Sequence, residues 1–594
     1  MDRRIKSGGD ECTLSAGAVM LILGVHSGNH DAGAVLADEY RILAAVAQER
    51  MTRRKTDGGR MPVEAIAECL AIAGVGLQDV DAVVLGRGAF LSRYFTHLRG
   101  GRAAEQAVRR LLGREKHKSM EREARRYACL DSLSMFDRAR FLADYGFRAD
   151  ADLAFYNHHR SHAMATLFHT DWDDALLYTA DGGGDNVQYS HRILRDGELA
   201  TLYGGDEGLL LPPNVDSLGL VYGFATQALG FRINRHEGKL TGLAALGQPV
   251  LKDRLAAHFR VDGEGRIQSD FPDYPALRQF VLDWAAGQKR EDVAASAQAL
   301  LEEYILEAVG RLLRVSGSRR LGLSGGVFAN VRLNQRLAEE LPVDEVFVYP
   351  AMSDQGLAAG GVLIYLLERD GLAHWLAQRQ RLQHLYLGRD YGGAIDTALA
   401  AAPGVVRQEG GPVAPTVAAL QAGRAIAIYT RGMEHGPRAL GARSILAAPG
   451  NAAINDSLND RLGRSEFMPF APVAKASDAD ALFDLPPQSG YAARFMTITC
   501  GVKPDWRSRI PAVVHVDGTA RPQLIHRDDN PLYHDIVDGY GAATGVKALV
   551  NTSFNAHEEP IIDSPAQCVQ ALLDDRIDGV VTETALWLRA DKSG

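Results

Sequence analysis

Two stretches of this chain run a short apolar strand straight into a glycine-rich turn, and the pairing narrows the folds open to it. Asp174–Thr179 leads into Asp181-Gly182-Gly183-Gly184-Asp185. Arg320–Leu323 leads into Ser324-Gly325-Gly326-Val327-Phe328-Ala329-Asn330. Glycine lacks a Cβ, so backbone N–H groups at such turns can come close to phosphate oxygens and cradle them. One such turn is weak evidence, because ordinary tight turns look the same. Two at similar strand ends suggest a nucleotide cleft between two lobes.

The rest of the chain has an α/β rhythm. Leu21–Val25, Gly33–Ala37 and Ile42–Gln48 read as three short strands of a meander. Pro62–Gly74 reads as an amphipathic helix, Ala82–Leu85 as a strand, and a helix over Asp354–Leu367 closes this half. Leu372–Tyr386 is a connector. A second unit follows, with Thr416–Ala422 helical, Ala425–Tyr429 a strand and Arg431–Arg443 a glycine-punctuated turn. It continues through Met468–Val473, Val513–Val514, Ala548–Asn555 and Ala566–Leu573. No internal repeat is visible in the residues. At 594 residues the chain exceeds one hydrophobic core, so two large domains are expected.

Composition excludes several classes. A formal net charge of -9 argues against a general nucleic-acid binder. The five cysteines (Cys12, Cys69, Cys129, Cys500 and Cys568) form no CxxC, which disfavours zinc fingers and a disulfide framework and fits a reducing, cytoplasmic setting. No apolar run is long enough to span a bilayer. Arg3, Arg4 and Lys6 precede apolar Leu14–Val25, but polar Ser7–Thr13 intervenes, so a short tail is expected rather than a signal peptide. Segment 87–126 interleaves Arg109, Arg110, Arg114, Lys116, Lys118, Arg122, Arg125 and Arg126 with Glu105, Glu115, Glu121 and Glu123. A solvated helical insertion with salt-bridged faces is expected there.

The most specific local signal is Asn157-His158-His159-Arg160-Ser161-His162-Ala163. On a helix, His158 and His162 share one face and can hold one metal ion, while His159 points elsewhere. Asp181 and Asp354, each beside a glycine-containing turn, complete a candidate site. Iron is the first expectation for this mixed set, with magnesium, manganese and zinc as alternatives.

These motifs belong to a longer ordered set. It includes His30-Asp31, Glu49-Arg50, Arg53-Arg54-Lys55, the histidine segment and Asp181-Gly182-Gly183-Gly184. Gly238-Lys239-Leu240-Thr241-Gly242, Gly325-Gly326 through Asn330, and Ser353-Asp354-Gln355-Gly356 follow. Gly436-Pro437-Arg438 through Arg443-Ser444, Phe467-Met468-Pro469-Phe470-Ala471-Pro472 and Asn551-Thr552-Ser553-Phe554-Asn555 complete it. From about Met20 onward the chain resembles the O-carbamoyltransferase family of antibiotic and nodulation-factor biosynthesis.

The resemblance implies an N-terminal actin-like ATPase (ASKHA) domain with two lobes and a C-terminal YrdC-like α/β domain. The expected division is a tail over 1–19, a carbamoyl-transfer domain over 20–385 and a carbamoyl phosphate-processing domain over 386–594. Carbamoyl phosphate would be cleaved to carbamate, carbamate would react with ATP to give carbamoyl adenylate, and an acceptor hydroxyl would attack. Lys239, Gly182, Gly183, Gly325, Gly326 and Asn330 are the expected ATP contacts. Lys55, Arg431, Arg438, Arg443, Asn551, Ser553 and Asn555 are the expected carbamoyl phosphate contacts, since guanidinium pairs well with such anions. Arg464 is a further phosphate candidate of unsure register. His30 follows the first strand in a turn of small residues and is the expected general base, with Asp31 orienting its ring. The expected partners are carbamoyl phosphate and a hydroxyl-bearing small molecule, without nucleic acid or membrane; a homodimer is left open.

Three other readings compete. A tRNA threonylcarbamoyl-transfer enzyme would suit the basic segment but not the acidic total. A hydrogenase-maturation carbamoyltransferase would need paired cysteines that this chain lacks. A non-enzymatic actin-fold nucleotide binder would leave the histidine pair and the arginine turn unexplained.

Overall fold

The computed structural model describes residues 4–7, 10–13, 20–97, 105, 108–109, 111–112, 114–211, 215–464 and 468–590. Arg110, Phe467 and part of the 1–19 segment named above lie outside the described residues.

The expected meander is formed by β1 (Leu21–His26), β2 (Gly33–Asp38) and β3 (Arg41–Ala47), all antiparallel. β4 (Ala82–Gly86) and β5 (Asp152–Tyr156) extend it in parallel, giving the order β3-β2-β1-β4-β5. β6 (Ala175–Gly184), β7 (Val187–Arg195) and β8 (Glu198–Tyr203) make a second antiparallel meander. β9 (Arg320–Ser324) and β10 (Glu345–Val348) extend that one in parallel, in the order β8-β7-β6-β9-β10. The two sheets have the same topology, the duplicated, two-lobed arrangement expected of an actin-like fold. The repeat is invisible in the residues because each lobe carries its own insertion, 87–151 between β4 and β5 and 204–319 between β8 and β9.

Every residue of β1 and β4 is buried. These strands are covered on both faces, so they read as continuous apolar runs rather than alternating ones. Helices of this half include α1 (Val63–Ala73), α2 (His158–Phe168), α3 (Glu237–Ala244), α4 (Arg290–Ser316) and α5 (Leu357–Asp370). α1 ends at Gly74, whose φ of 69° suits a left-handed cap. α2 and α5 share a core with residues of both sheets, including Ile22 and Val35 of the first and Leu177 of the second. They approach closely at Gly360, where a Cβ would sit 2.0 Å from the Ser161 carbonyl oxygen.

The C-terminal half is built on one mixed eight-stranded sheet. Its strands are β11 (Val405–Arg407), β12 (Ile426–Tyr429), β13 (Arg443–Ala447), β14 (Ala471–Lys475), β15 (Gln523–Ile525), β16 (Ala548–Ser553), β17 (Gly579–Val581) and β18 (Leu586–Arg589). Their order is β11-β18-β17-β12-β13-β16-β14-β15. One apolar core runs from the second lobe into this sheet, joining Leu321 and Phe328 to Ala427 and Ile445. Buried Asn334 donates to the Thr497 carbonyl across the same junction at 2.7 Å.

Val513–Val514, given no element type from the residues, ends a 3-10 turn over Pro511–Val513. One local expectation changes. Segment 87–126 is not one helix. Among the described residues it holds a small hairpin, Ala89–Leu91 with His117–Ser119, and a short helix, Met120–Arg126. Its salt bridges do form, as in Arg93 with Glu115 and Arg109 with Glu105. No helix among the described residues is long and apolar enough to cross a membrane.

Candidate metal and anion sites

The strand ends carrying the candidate residues converge on the cleft between the lobes. α2 starts directly after β5, and the Asn157 side chain caps it by accepting from the Arg160 N–H. The helix sets His158 and His162 one turn apart on one face. β6 delivers Asp181, and the 3-10 turn after β10 delivers Asp354. One ligand atom from each of these four residues lies within 4.8 Å of the others.

His158 Nε2 is 3.6 Å from Asp181 Oδ2 and 3.6 Å from Asp354 Oδ1. His162 Nε2 is 3.3 Å from Asp181 Oδ2. Both Nε2 atoms are buried without a hydrogen-bond partner. Such orphaned polar atoms are costly unless something satisfies them, and two imidazole nitrogens facing two carboxylates suit a divalent cation. Ser324 Oγ lies 3.2 Å from His162 Nδ1 and fixes that ring from behind. Gly184 lies against His158, where a Cβ would come within 2.3 Å of the ring. His159 points away, as expected: Nδ1 is 2.8 Å from Thr179 Oγ1 and Nε2 is 2.9 Å from the Val187 carbonyl.

Burial works against a charge on His158, but Asp354 and Asp181 overcome it and push the ring up to about 9. Burial prevails at His162, which is lowered despite the Asp181 contact. Burial also opposes charge on Asp181 and Asp354, yet the facing histidines hold both carboxyls below the usual range.

His30 stands beside this cluster. Its Nδ1 is 3.4 Å from Asp31 Oδ2 and 4.0 Å from Asp354 Oδ2, and its side chain is 32% exposed. Adjacent side chains usually diverge, but Asp31 adopts φ 53° and turns back to its neighbour. Burial lowers the His30 pKa, but Asp354, Asp31 and Asp181 raise it further, up to about 10. The proton is therefore held by the same carboxylates that face the histidine pair. Sequence reasoning passed over His26, whose Nε2 is 3.3 Å from Asp354 Oδ2.

A cavity of about 390 Å³ fills the cleft, lined by His30, Asp31, Asp181, Gly182, Gly326, Asn330 and Asp354 among others. Gly183 and Gly325 are not in its lining. Gly325 has φ 102°, and a Cβ there would sit 2.1 Å from the Ala180 carbonyl oxygen, so its glycine lets the two turns meet. The N–H groups of Gly182 and Gly326 both donate to the Asp181 carboxylate, at 2.7 and 3.2 Å. Asn330 caps a helix through Oδ1 and donates to Gln298 through Nδ2.

A second cavity, about 330 Å³, lies between the N-terminal domain and the eight-stranded sheet. Lys55, Arg438, Asn551, Ser553 and Asn555 line it, as expected of an anion site. So does Lys239, expected at ATP, which is absent from the cleft lining although its neighbours Gly238 and Thr241 line both cavities. Lys55, Arg235, Arg438, Ser553 and Asn555 line both cavities, so the two share a wall.

Arg443 requires correction. Its guanidinium lies 3.7 Å over the Tyr429 ring and donates to the carbonyls of Thr430 and Ala442 at 2.8 and 3.0 Å. It holds the arginine turn and does not line the anion cavity. Arg431 lines neither cavity; its φ of 49° places it in a tight bend before that turn. Arg464 braces the cavity wall, donating to Thr552 Oγ1 at 2.8 Å and to the Ser553 and Asn555 carbonyls.

Arg521 was missed. It lines the second cavity beside Arg438 and sits in a loop with no glycine-rich or paired-arginine signal to mark it. Burial lowers Arg438 to about 10, and burial together with Arg438 pushes Arg521 well below the ordinary range. Among the described residues neither guanidinium makes an ion pair with a carboxylate. Two half-buried guanidiniums, each with an Nε buried without a hydrogen-bond partner, favour an anion. Arg50, only 2% exposed, lines the cleft and donates to the Gly436 carbonyl, leaving Nε and Nη1 without hydrogen-bond partners.

Comparison with known proteins gives a consistent result. Residues 21–363 match the family model described as carbamoyltransferase N-terminus, and residues 417–589 match carbamoyltransferase C-terminus. Nodulation protein NolNO of Sinorhizobium fredii is 33% identical over 94% of this chain and 78% of its own length. Nodulation protein NolO of Bradyrhizobium diazoefficiens is 33% identical over 72% of this chain and 77% of its own. Among solved structures, HypF of T. kodakarensis is similar over 60% of this chain and 49% of that one, at 14% identity and TM-score 0.33.

Proposed function

Because the chain belongs to the carbamoyltransferase family and is therefore an enzyme of carbamoyl transfer, we propose that it moves the carbamoyl group of carbamoyl phosphate to a hydroxyl of a small molecule at the expense of ATP. The observation that carries this reading is the pair of cavities with a common wall, one lined by part-buried cations and the other by His30, Asp31, Asp181 and Asp354.

In this reading residues 386–594 form a YrdC-like donor domain, 20–385 the transfer domain and 1–19 a tail. Carbamoyl phosphate enters the second cavity, where Arg438, Arg521, Lys55 and Lys239 meet its charge, with Asn551, Ser553 and Asn555 nearby. Water replaces the bond to phosphate, and carbamate, phosphate and a proton result. Carbamate crosses the shared wall into the cleft. One of its oxygens bonds to the α-phosphorus of ATP, the bond to the β-phosphate oxygen breaks, and carbamoyl adenylate and pyrophosphate form. An acceptor hydroxyl then attacks the carbamoyl carbon, AMP leaves, and the hydroxyl proton is lost.

His158, His162, Asp181 and Asp354 would hold a divalent ion, iron first, because they present two orphaned nitrogens to two carboxylates. When bound, that ion supplies Lewis acidity toward phosphate oxygens and offsets the two carboxylates whose field holds the His30 proton. Asp31 keeps the His30 ring oriented through Nδ1. His30 then takes the acceptor proton, the role its place beside the cluster fits. Arg50 steadies the cleft wall through the Gly436 carbonyl. Cys69, Cys129, Cys500 and Cys568 are all free, which suits a cytoplasmic enzyme.

The test is a mass-spectrometric search for products gaining one carbamoyl group, using the purified protein, ATP, carbamoyl phosphate and a panel of hydroxylated metabolites. A product that needs both ATP and carbamoyl phosphate supports the proposal. Carbamoylation without ATP, or of tRNA in place of the panel, contradicts it.

A further inference from the structure

One loop, Phe554–Ile562, borders both cavities and is closed at its neck where the Ile562 N–H donates to the Phe554 carbonyl at 2.9 Å. One flank of the loop, His557 and Glu558, faces the anion cavity. The other flank, Glu559, Pro560 and Ile561, faces the cleft. The loop belongs to the C-terminal domain but is fastened to the N-terminal one. Arg53 donates to the carbonyls of Pro560 and Ile561 at 2.7 and 2.8 Å. Glu558 is gripped from the other side: Oε2 accepts from Arg232 and Arg235, both at 2.9 Å, and Oε1 lies 2.7 Å from His236 Nε2.

Glu558 holds a left-handed φ of 60°, which a residue with a Cβ adopts only when its surroundings impose it. Arg235 ties the latch to the substrate path, because it also donates to the Lys55 carbonyl and to Thr56 Oγ1. Lys55 and Arg235 are themselves common to both cavities.

We infer that Phe554–Ile562 is the strap that seals the passage between the two half-reaction sites from water and that Glu558 is its latch, a positioning residue that keeps the intermediate inside the protein. The inference rests on the two-site reading above. Its chemical reason is that carbamate escaping to water takes up a proton and breaks its C–N bond, giving carbon dioxide and ammonia. A closed strap keeps each carbamate for ATP, so phosphate and pyrophosphate form in equal amounts. A loosened strap lets carbamate leave, and phosphate then exceeds pyrophosphate by the ammonia lost.

The experiment measures phosphate, pyrophosphate and ammonia together in the full-length protein supplied with carbamoyl phosphate, ATP and a divalent metal. Glu558→Gln keeps the shape but removes the charge. Weakening a charge-assisted contact shifts the open population on the order of tenfold, so phosphate should clearly exceed pyrophosphate, with matching ammonia. If E558Q does not fold, Arg232→Ala loosens the same carboxylate from a side chain that is 66% exposed, with the same expectation at smaller size. A ratio that stays at one in the folded variant overturns the inference, even if both rates fall, because that is what a purely structural residue would do. If the unaltered protein itself forms no pyrophosphate, the two-site reading fails instead.

Discussion

The histidine segment offers a prediction in which neighbouring residues of one type respond oppositely. His162→Ala should remove metal and leave most of the fold, whereas His159→Ala should weaken the fold and leave metal. His162 presents an unpartnered Nε2 to Asp181 and is steadied by Ser324. Even losing an outer partner of a ligating histidine commonly costs about 10–100-fold in metal affinity, so losing the ring should cost at least about 100-fold. His159 is fully buried and bonded to Thr179 and Val187. Removing it takes a partner from each of those groups at up to about 1–3 kcal/mol each, less at Thr179 because it keeps Ser190, so a loss of about 2–6 kcal/mol in unfolding free energy bounds the effect. The assay is elemental analysis after dialysis, paired with urea unfolding of the metal-free proteins. Metal retained in His162→Ala, or lost in a folded His159→Ala, would refute the site.

Further expectations follow from the same geometry. Arg438→Ala should abolish phosphate release from carbamoyl phosphate while ATP binding, read by calorimetry, stays within a few-fold. A lost charged bond costs about 1.5–3 kcal/mol in donor affinity, and equal losses for both ligands would undo the two-cavity assignment. His30→Asn should still form carbamoyl adenylate but transfer about 10²–10⁴ more slowly when transfer is rate-limiting; loss of adenylate itself would move His30 to the nucleotide site. Burial raises the Glu558 pKa, but His236 and Arg235 outweigh it and hold the carboxyl near 2, against an ordinary 4.5. A depressed carboxyl adds stability above its unfolded pKa and loses it as pH falls to the folded one. The stability that Glu558 confers should therefore fade between about pH 4.5 and 2, and E558Q should flatten that part of the curve.

What the sequence made readable was local. The i, i+4 histidine pair and the two aspartates beside glycine turns needed only helix periodicity and strand ends to be grouped, and they do converge. The meander and α1 followed from apolar runs bounded by turns. What was not readable depended on direction and register. Arg443 opens β13 opposite Tyr429, so the sheet sends its guanidinium over that ring rather than into the cavity. Lys239 lies on α3, and only the packing of that helix decides which of two adjacent cavities it enters. Arg521 gains its character from sharing a buried wall with a residue far away in sequence, which no local motif reports. The lobe repeat escaped notice because topology, not residue identity, is what the two sheets share.

The most direct test of the account is isotope exchange without any acceptor. With carbamoyl phosphate, ATP and a divalent metal present, labelled pyrophosphate should pass into ATP, because carbamoyl adenylate forms reversibly in the cleft. Exchange should vanish when carbamoyl phosphate is left out and in Arg438→Ala, and persist in His30→Asn. No exchange in the metal-loaded protein, or release of ADP in place of AMP during turnover, would contradict the account.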